Sequence, residues 1–493
     1  MTSASPDPVP HRTVQSWHVL CGWLLLGWTV SAADRTITGP VVTWMIGHHV
    51  SFLRDAPMPY ALGGLIGGLF FAGYMLTQFP GGYLGDRFGH RTIIGVSLLW
   101  AGIATLLNGV ISGLAVFIVL RVLTGLGEGA FYSNDRTLIT ARVPVHRRSF
   151  AMGLVITGLA IGITLATLLA PWMINLGSVL GTEHAWRMPF LLQGAVTLVV
   201  AGGAVWYFRR DQRGLPYGRA TLALLRYAAV CLAAVMAVYY LGVWLGASQL
   251  GIAGMEILLA LGLVLFVFRS KRGEIGPVLR NRSLVMINIS YIAVLWNLWF
   301  FSFWSVAIVA GAAHSSFLQA ALIAAFNAGA GILGFPVGGW LSDLGVRRGW
   351  GRKGMLVSFT FAQGVLTVVF GLYLLLTGKP SVVVMGLLLF AASLFFNALQ
   401  PIGHALIAEL ATEPMRGSAF GMNNLIGEMG AVLAPAVGGY LRDVTGSWTQ
   451  AVLLDAALIF VGFAVLCFVR ERRDAASPVG TPEASGSAVT PAS

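Results

Sequence analysis

The chain has 493 residues, of which 57% are hydrophobic and 10% charged, with a mean hydropathy of +0.79; soluble domains carry about 25% charged residues. This composition excludes a water-soluble globular protein and leaves no room for a sizeable soluble domain. The formal net charge of +12 would suggest nucleic-acid binding in a soluble chain, but here the basic residues fall between apolar runs, and no nucleic-acid partner is expected.

A bilayer-crossing helix needs about 20 largely apolar residues. After a short N-terminal segment, 1–16, such runs fall at 17–46, 59–84, 92–111, 114–136, 149–175, 188–208, 221–245, 250–268, 283–311, 316–342, 355–377, 381–410, 417–441 and 449–469. The expected fold is therefore all-α integral membrane, with about fourteen transmembrane helices. The first run, with His11 and Arg12 before it and SAA after it, has the order of a secretory signal. An internal repeat needs that helix as its first member, so we read it as a crossing. Residues 471–493 are mostly Ala, Ser, Pro, Gly and Thr, which cannot bury a core, and are read as a disordered cytoplasmic tail.

Basic clusters occupy every second loop: Arg87 and Arg91; Arg142, Arg147 and Arg148; Arg209, Arg210 and Arg213; Arg269, Lys271 and Arg272; Arg347, Arg348, Arg352 and Lys353; Arg470, Arg472 and Arg473. The intervening loops are poor in Lys and Arg, so the positive-inside rule places the clusters and both termini in the cytoplasm. Cys21, Cys231 and Cys467 lie far apart in apolar runs without metal-type spacing and are read as small packing residues.

Self-similarity organises the chain. GGYLGD at 81–86 returns as GGWLSD at 338–343, each at the end of an apolar run and followed by a basic turn. Arg148, Ala151 and Gly153 return at the same spacing as Arg416, Ala419 and Gly421, and LAP at 169–171 returns at 433–435. Matches in the same order imply a duplicated six-helix unit. The copies are offset by about 260 residues, whereas six short-looped helices need only about 200. The surplus matches the runs at 221–245 and 250–268. The expected organisation is a six-helix bundle at 17–208, a loop at 209–220, an inserted hairpin at 221–268, a loop at 269–282 and a second six-helix bundle at 283–470. Parallel halves related about the membrane normal are a transporter architecture.

GGYLGDRFGHRTIIG at 81–95 resembles the signature loop between the second and third helices of the major facilitator superfamily, and GGWLSDLGVRRGWGRKGM at 338–355 resembles its weaker second copy. Asp34-Arg35, FAGYMLTQFPGG at 71–82 and RVLTGLGEGAFYS at 121–133 further resemble the anion:cation symporter branch, which holds sugar-acid and organic-anion transporters. This resemblance implies the major facilitator fold and proton sites at Asp34 and Glu128, with Arg35 and Tyr74 facing the substrate. After Glu128 the branch usually reads apolar with a Pro, whereas this chain has Asn134, Asp135 and Arg136.

The charges support a coupled mechanism in their own right. A charge at the bilayer centre costs about 2.5–3.5 kcal/mol on insertion scales, so it rarely persists without a role. Arg121 and Glu128 are seven residues apart and share a helix face. Asp34 and Arg35 are neighbours, about 100° apart around their helix, so each looks across the bundle for its own partner. Arg35 and Arg121 are permanent positive charges suited to a carboxylate or phosphate. Asp34 and Glu128 can exchange protons, because desolvation favours a neutral carboxyl while a nearby Arg favours the charged form. An anion binding to an Arg would release that carboxylate to take up a proton. A static ion-pair network that fixes helix register is the bland alternative.

The substrate set is completed by Tyr74 and Gln78 and, in the second half, by Asn297, Asn397, Gln400, Asn424 and Glu428, since a buried amide or acid must find a partner. Trp296, Trp299 and Trp304 are read mainly as packing or lipid-facing, and His404 and His48-His49 as polar boundary residues. Gly82, Asp86, Arg87, Gly89 and Arg91, with Asp343 in the second copy, form an expected gating loop. There the glycines allow close approach, Asp86 can meet a helix N-terminus, and the arginines can bridge neighbouring helices.

The expected activity is proton-coupled symport of a small organic anion (a sugar acid, carboxylate or organophosphate) by alternating access in a bacterial inner membrane. The partners are the anion, protons and the lipid bilayer, with a monomer as the working unit and no cofactor or metal. A drug or metabolite:proton antiporter of the same fold is the alternative; it usually carries a Gly-Pro signature in its fifth helix, and here the Pro comes only at the end, at Pro171. No HExxH, nucleophile elbow or Walker-type loop marks an enzyme. The inserted hairpin, with few charges, is read as peripheral and lipid-facing, or as an oligomer contact.

Overall fold

The structure is a computed structural model that describes residues 17–111, 113–144, 147–211, 215–270, 272–412 and 416–470. The expected N-terminal segment 1–16 and tail 471–493, with Arg213, Lys271, Arg472 and Arg473 of the basic clusters, lie outside the described residues. Among the described residues there are fifteen α-helices and no strand. They are α1 (Trp17–Gly47), α2 (Pro59–Phe88), α3 (His90–Asn108), α4 (Leu114–Arg142), α5 (Arg148–Gly177), α6 (Met188–Asp211), α7 (Tyr217–Trp244), α8 (Gln249–Ser270), α9 (Arg272–Arg280), α10 (Arg282–Ala313), α11 (Phe317–Arg347), α12 (Arg352–Leu376), α13 (Val382–Leu410), α14 (Arg416–Thr445) and α15 (Thr449–Cys467). Eleven of the helices are long and apolar enough to cross a membrane. The loop expected at 269–282 instead contains α9, whose charged ends and short apolar stretch suit a helix lying along the bundle rather than through it.

The pairing of helices is the same in the two parts of the chain. α1 packs on α5, α2 on α4, and α3 on α4 and α6; α10 packs on α14, α11 on α13, and α12 on α13 and α15. The two sets of six meet along two long seams, α2 with α14 and α5 with α11, and along a shorter one, α1 with α10. α7 rests on α2, α3 and α4, while α8 rests on α2 and α14 and so touches both sets. The pair is thus less peripheral than its low charge suggests, although it still shows Trp244 (80% exposed), Val230 and Phe266 on its outer surface.

Glycines make the close contacts possible. In α4 a side chain on Gly125 would stand 2.0 Å from the Phe70 carbonyl oxygen, and one on Gly129 would stand 2.2 Å from the Tyr74 carbonyl oxygen. The obstacle is backbone, so only hydrogen fits; this is the small-residue spacing that lets membrane helices touch. The α2–α14 seam is built likewise, with Gly64 against Pro435 and Gly68 against Val432.

At the end opposite the basic loops the start of α2 is in contact with the end of α14. α2 begins with Pro59, Tyr60 and Ala61, and Met58 supplies no side-chain cap. The missing acceptor comes from the other half: Asp443 accepts from the backbone N–H of Ala61 at 2.7 Å and of Tyr60 at 3.4 Å. A carboxylate at a helix N-terminus satisfies orphan donors and matches the helix dipole. Over it, Tyr60 meets Trp304 and Trp448 at ring distances of 5.7 and 5.5 Å, and a side chain on Gly439 would strike the Tyr60 carbonyl oxygen at 2.1 Å. Loss of an N-cap costs about 1 kcal/mol, roughly a fivefold change in an equilibrium. Asp443→Ala is therefore expected to raise, several-fold, the labelling rate of a Met58→Cys reporter by a membrane-impermeant maleimide, measured without the three native cysteines. An unchanged rate would remove Asp443 from the closure.

Candidate substrate and proton site

The charged residues of α1 and α4 assemble into two crossed pairs at the middle of the first half. Arg35 Nε donates to Glu128 Oε2 at 2.8 Å, and Ser31 Oγ donates to the same oxygen at 2.5 Å. Ser31 also accepts from Arg35 Nη2 at 2.9 Å, one turn away on α1. Asp34 turns to the other side of α1, where it pairs with Arg121 Nη1 at 3.3 Å and accepts from Thr105 Oγ1 of α3 at 2.5 Å. Arg121 lies over the Phe70 ring at 4.8 Å. The side chains of all four charged residues are at most 3% exposed.

Burying four charges is tolerable only when each is paired and hydrogen-bonded. One oxygen of Glu128, Oε1, has no partner, and Asp34 lies close enough for its charge to act on Glu128. The shared helix face of Arg121 and Glu128 does not make them partners, because α1 inserts an opposite charge beside each.

Arg35 is the member of the set that faces the second half. Its guanidinium lies 4.2 Å from the centre of the Tyr74 ring, 5.5 Å from Trp28 and 5.9 Å from Trp299 of α10. Across the α2–α14 seam, Glu428 Oε1 accepts from Asn424 at 3.3 Å and meets Gln78 Nε2 at 3.5 Å. Arg35 and Glu428 are within electrostatic reach of one another. Arg35, Tyr74, Gln78, Glu128, Asn424 and Glu428 thus form one chain of neighbours where α1, α2, α4 and α14 meet, with the Asp34–Arg121 pair adjoining.

The other candidates lie elsewhere. Asn297 donates to Asp455 of α15 at 2.6 Å and accepts from Gln363 of α12 at 3.1 Å, inside the second half. Asn397 donates to Ser393, and both asparagines line a small cavity at the α5–α11 seam. Gln400 is buried with its amide nitrogen unpartnered. Trp296, Trp299 and Trp304 are buried, which fits packing and not the lipid-facing reading, and His404 Nε2 contacts Tyr291 Oη at 3.0 Å.

In the loop at 81–95, Gly89 has φ +90°, a left-handed value that favours glycine. The side chain of Asp86 is 74% exposed and lies 3.5 Å from Nε2 of His90, the first residue of α3. Arg87 stacks on Phe88, Arg91 is buried, and Gly82 faces Ser133. In the second copy, Asp343 pairs with Arg352, which also pairs with Glu409.

Several polar residues were missed by sequence reasoning. Ser31 stands one turn before Arg35, a spacing that would have found it. Glu256 of α8 and Asp455 are single acids in apolar runs, the same signal that marked Glu428. Glu256 is 1% exposed with neither carboxyl oxygen partnered, on the helix that touches both halves. Among the described residues, no His, Cys, Asp and Glu cluster could hold a metal ion.

A sequence model described as the Major Facilitator Superfamily matches residues 24–388 and 287–492. The chain belongs to the Major Facilitator Superfamily. Members of this superfamily are membrane transporters rather than enzymes, and the apolar helices make this chain an integral membrane protein. It is 23% identical over 474 residues to the "Probable galactarate/D-glucarate transporter" of Bacillus subtilis strain 168, covering 93% of this chain and 91% of the relative. It is 25% identical to the "D-galactonate transporter" of Escherichia coli O6:H1, covering 79% and 82%, and 25% identical to the "Probable sulfoacetate transporter" of Cupriavidus necator, covering 95% and 97%. Among solved structures, a bacterial homologue of the human lysosomal transporter Spinster, in an inward-facing and occupied conformation, superposes with a TM-score of 0.67 at 15% identity, covering 92% of this chain and 96% of that one. The α2–α14 and α5–α11 seams are where this chain's two sets of six helices pack together.

Proposed function

We propose that this facilitator is a proton-coupled symporter of a small organic anion that works by alternating access. The halves are the six-helix sets α1–α6 and α10–α15, and α7–α8 are an inserted transmembrane hairpin, giving fourteen crossings. The chain is a monomer in a bacterial inner membrane with both termini in the cytoplasm. The observation that carries the reading is the Arg35–Glu128 pair at 2.8 Å, with the Arg35 guanidinium 5.9 Å from the Trp299 ring of the second half. A substrate carboxylate can replace Glu128 on Arg35 and accept from two of its guanidinium N–H groups at once. Glu128, deprived of its counter-charge in a low-dielectric setting, then takes up a proton. Asp34 extends the pair toward Arg121, and Glu428 opposes it from the second half.

In this reading the aromatic residues around Arg35 exclude water from the bound anion, and the Asp443 closure is the non-cytoplasmic gate. The basic end, where Asp86 is exposed, is the side open to the cytoplasm. The anion relatives support this substrate class, since sugar acids and sulfoacetate are small organic anions.

The test is uptake of radiolabelled galactonate, galactarate and sulfoacetate into proteoliposomes of the purified protein. Accumulation is expected when the outside is acidic, and a protonophore should abolish it. Arg35→Lys is expected to reduce uptake at least about 10-fold, since an ammonium cannot reproduce the forked contact. Outward, proton-exchanged movement of cationic drugs with no anion uptake would overturn the reading.

A further inference from the structure

We propose that Arg136 is a second anion anchor, so that the site takes a short dianion whose two acid groups are held by Arg35 and Arg136. The inference rests on the reading of Arg35 as the first anchor. Arg136 lies eight residues beyond Glu128 on α4, about 12 Å further toward the basic end at 1.5 Å per residue. Its guanidinium is 5.9 Å from the centre of the Trp28 ring and 5.5 Å from that of Tyr132. Arg35 lies 5.5 Å from the same Trp28 ring. The two guanidiniums are therefore at most about 11 Å apart, the sum of their distances to that ring.

The surroundings leave Arg136 available. Its ion-pair partner, Asp135, is 3.7 Å away and is itself fully buried, with one oxygen held by Trp28 Nε1 at 2.6 Å. The Arg136 side chain is 24% exposed, whereas Arg35 is 3% and Arg121 is 1% exposed. It is within electrostatic reach of Tyr74 and, in the second set of helices, of Tyr291 on α10 and His404 on α13, so it sits close to the boundary between the two sets. Trp28 is the shared wall: its ring contacts both guanidiniums while its N–H fixes Asp135. An acid group gripped by Arg35 leaves the other end of a short carbon chain directed at Arg136. A monoanion fills only the first of these positions.

Galactarate and galactonate make the test direct, because they differ by a second carboxylate in place of a terminal hydroxymethyl group. Binding of each to the purified protein would be measured by titration calorimetry, with sulfoacetate as a second dianion. The unaltered protein is expected to bind galactarate at least about 10-fold more tightly than galactonate. Arg136→Gln is expected to weaken galactarate binding about 10- to 100-fold, the loss typical of a charged hydrogen bond, while galactonate affinity changes no more than about threefold. Arg136→Lys, which keeps the charge, is expected to restore part of the preference and serves as the check on folding. Equal affinity for the two sugar acids in the unaltered protein, or an equal loss for both in Arg136→Gln, would overturn the second anchor and leave the anion reading standing. Failure of all three acids to bind the unaltered protein would overturn both.

Discussion

Glu128→Gln is expected to abolish concentrative, pH-driven uptake while leaving exchange of anion for anion across the membrane. The glutamine retains an oxygen to accept from Ser31 and Arg35, which now contact Glu128 Oε2 at 2.5 and 2.8 Å, so packing is preserved. It cannot ionise, and Arg35 then has no internal counter-charge to release when the substrate arrives. Uptake against a gradient should fall at least about 10-fold, close to a loss of 1.4 kcal/mol or more of coupling, while counterflow stays within about threefold of the unaltered protein. Asp34→Asn should also impair coupling. It carries a second cost, because it leaves Arg121 buried beside a neutral partner, and breaking a buried pair costs about 3–5 kcal/mol. Undiminished proton-driven accumulation in both variants would sink the proton assignment; a loss of counterflow equal to the loss of uptake in Glu128→Gln would make Glu128 a binding residue only.

The second large effect is structural. Gly129→Val should prevent α2 and α4 from closing, since its side chain would meet the Tyr74 carbonyl oxygen and Thr77 Oγ1, each at 2.2 Å. The obstacle on one side is backbone, so the helices must separate. Overpacking of this kind costs about 1–3 kcal/mol or more. The separation also acts on the site: Gly129 adjoins Glu128, and Tyr74 is stacked on Arg35 at 4.2 Å. The melting temperature in detergent should fall clearly and sugar-acid binding should fall with it. Gly153→Ala is the matched control, because a side chain there meets nothing within 4 Å; its melting temperature should hold or rise through better helix propensity. Equal melting of the two variants would show that the α2–α4 contact is not tight.

Much of this was readable in the chain because lipid is a demanding solvent. Apolar run lengths marked the helices, and the returning GGYLGD and LAP segments marked the duplication. Asp34, Arg35, Arg121 and Glu128 stood out because charge is expensive in an apolar run. The neighbours Asp34 and Arg35 did divide between different partners, as a helical step of about 100° requires. The partners themselves were less legible. Seven residues put Arg121 and Glu128 on one face of α4, but the spacing does not say which helix meets that face; α1 does, bringing Asp34 to Arg121 and Arg35 to Glu128. The Asp443 cap could not be read at all, since it joins residues 382 apart through a contact between halves. Asp135 and Arg136 were visible as a departure from the symporter pattern, but only the position of Trp28 shows where the guanidinium is directed.

The crossed pairs also bear on how the protein is made. α1, which carries Asp34 and Arg35, is not among the eleven helices apolar enough to span a membrane by composition alone. Its partners arrive late: Glu128 follows Arg35 by 93 residues, and Arg121 follows Asp34 by 87. At synthesis speeds of about 5–20 residues per second, Arg121 and Glu128 are made several seconds after Asp34 and Arg35. The two crossed pairs can therefore form only once α4 has been made, so the charges of α1 are matched by a helix that follows it at a distance in the chain.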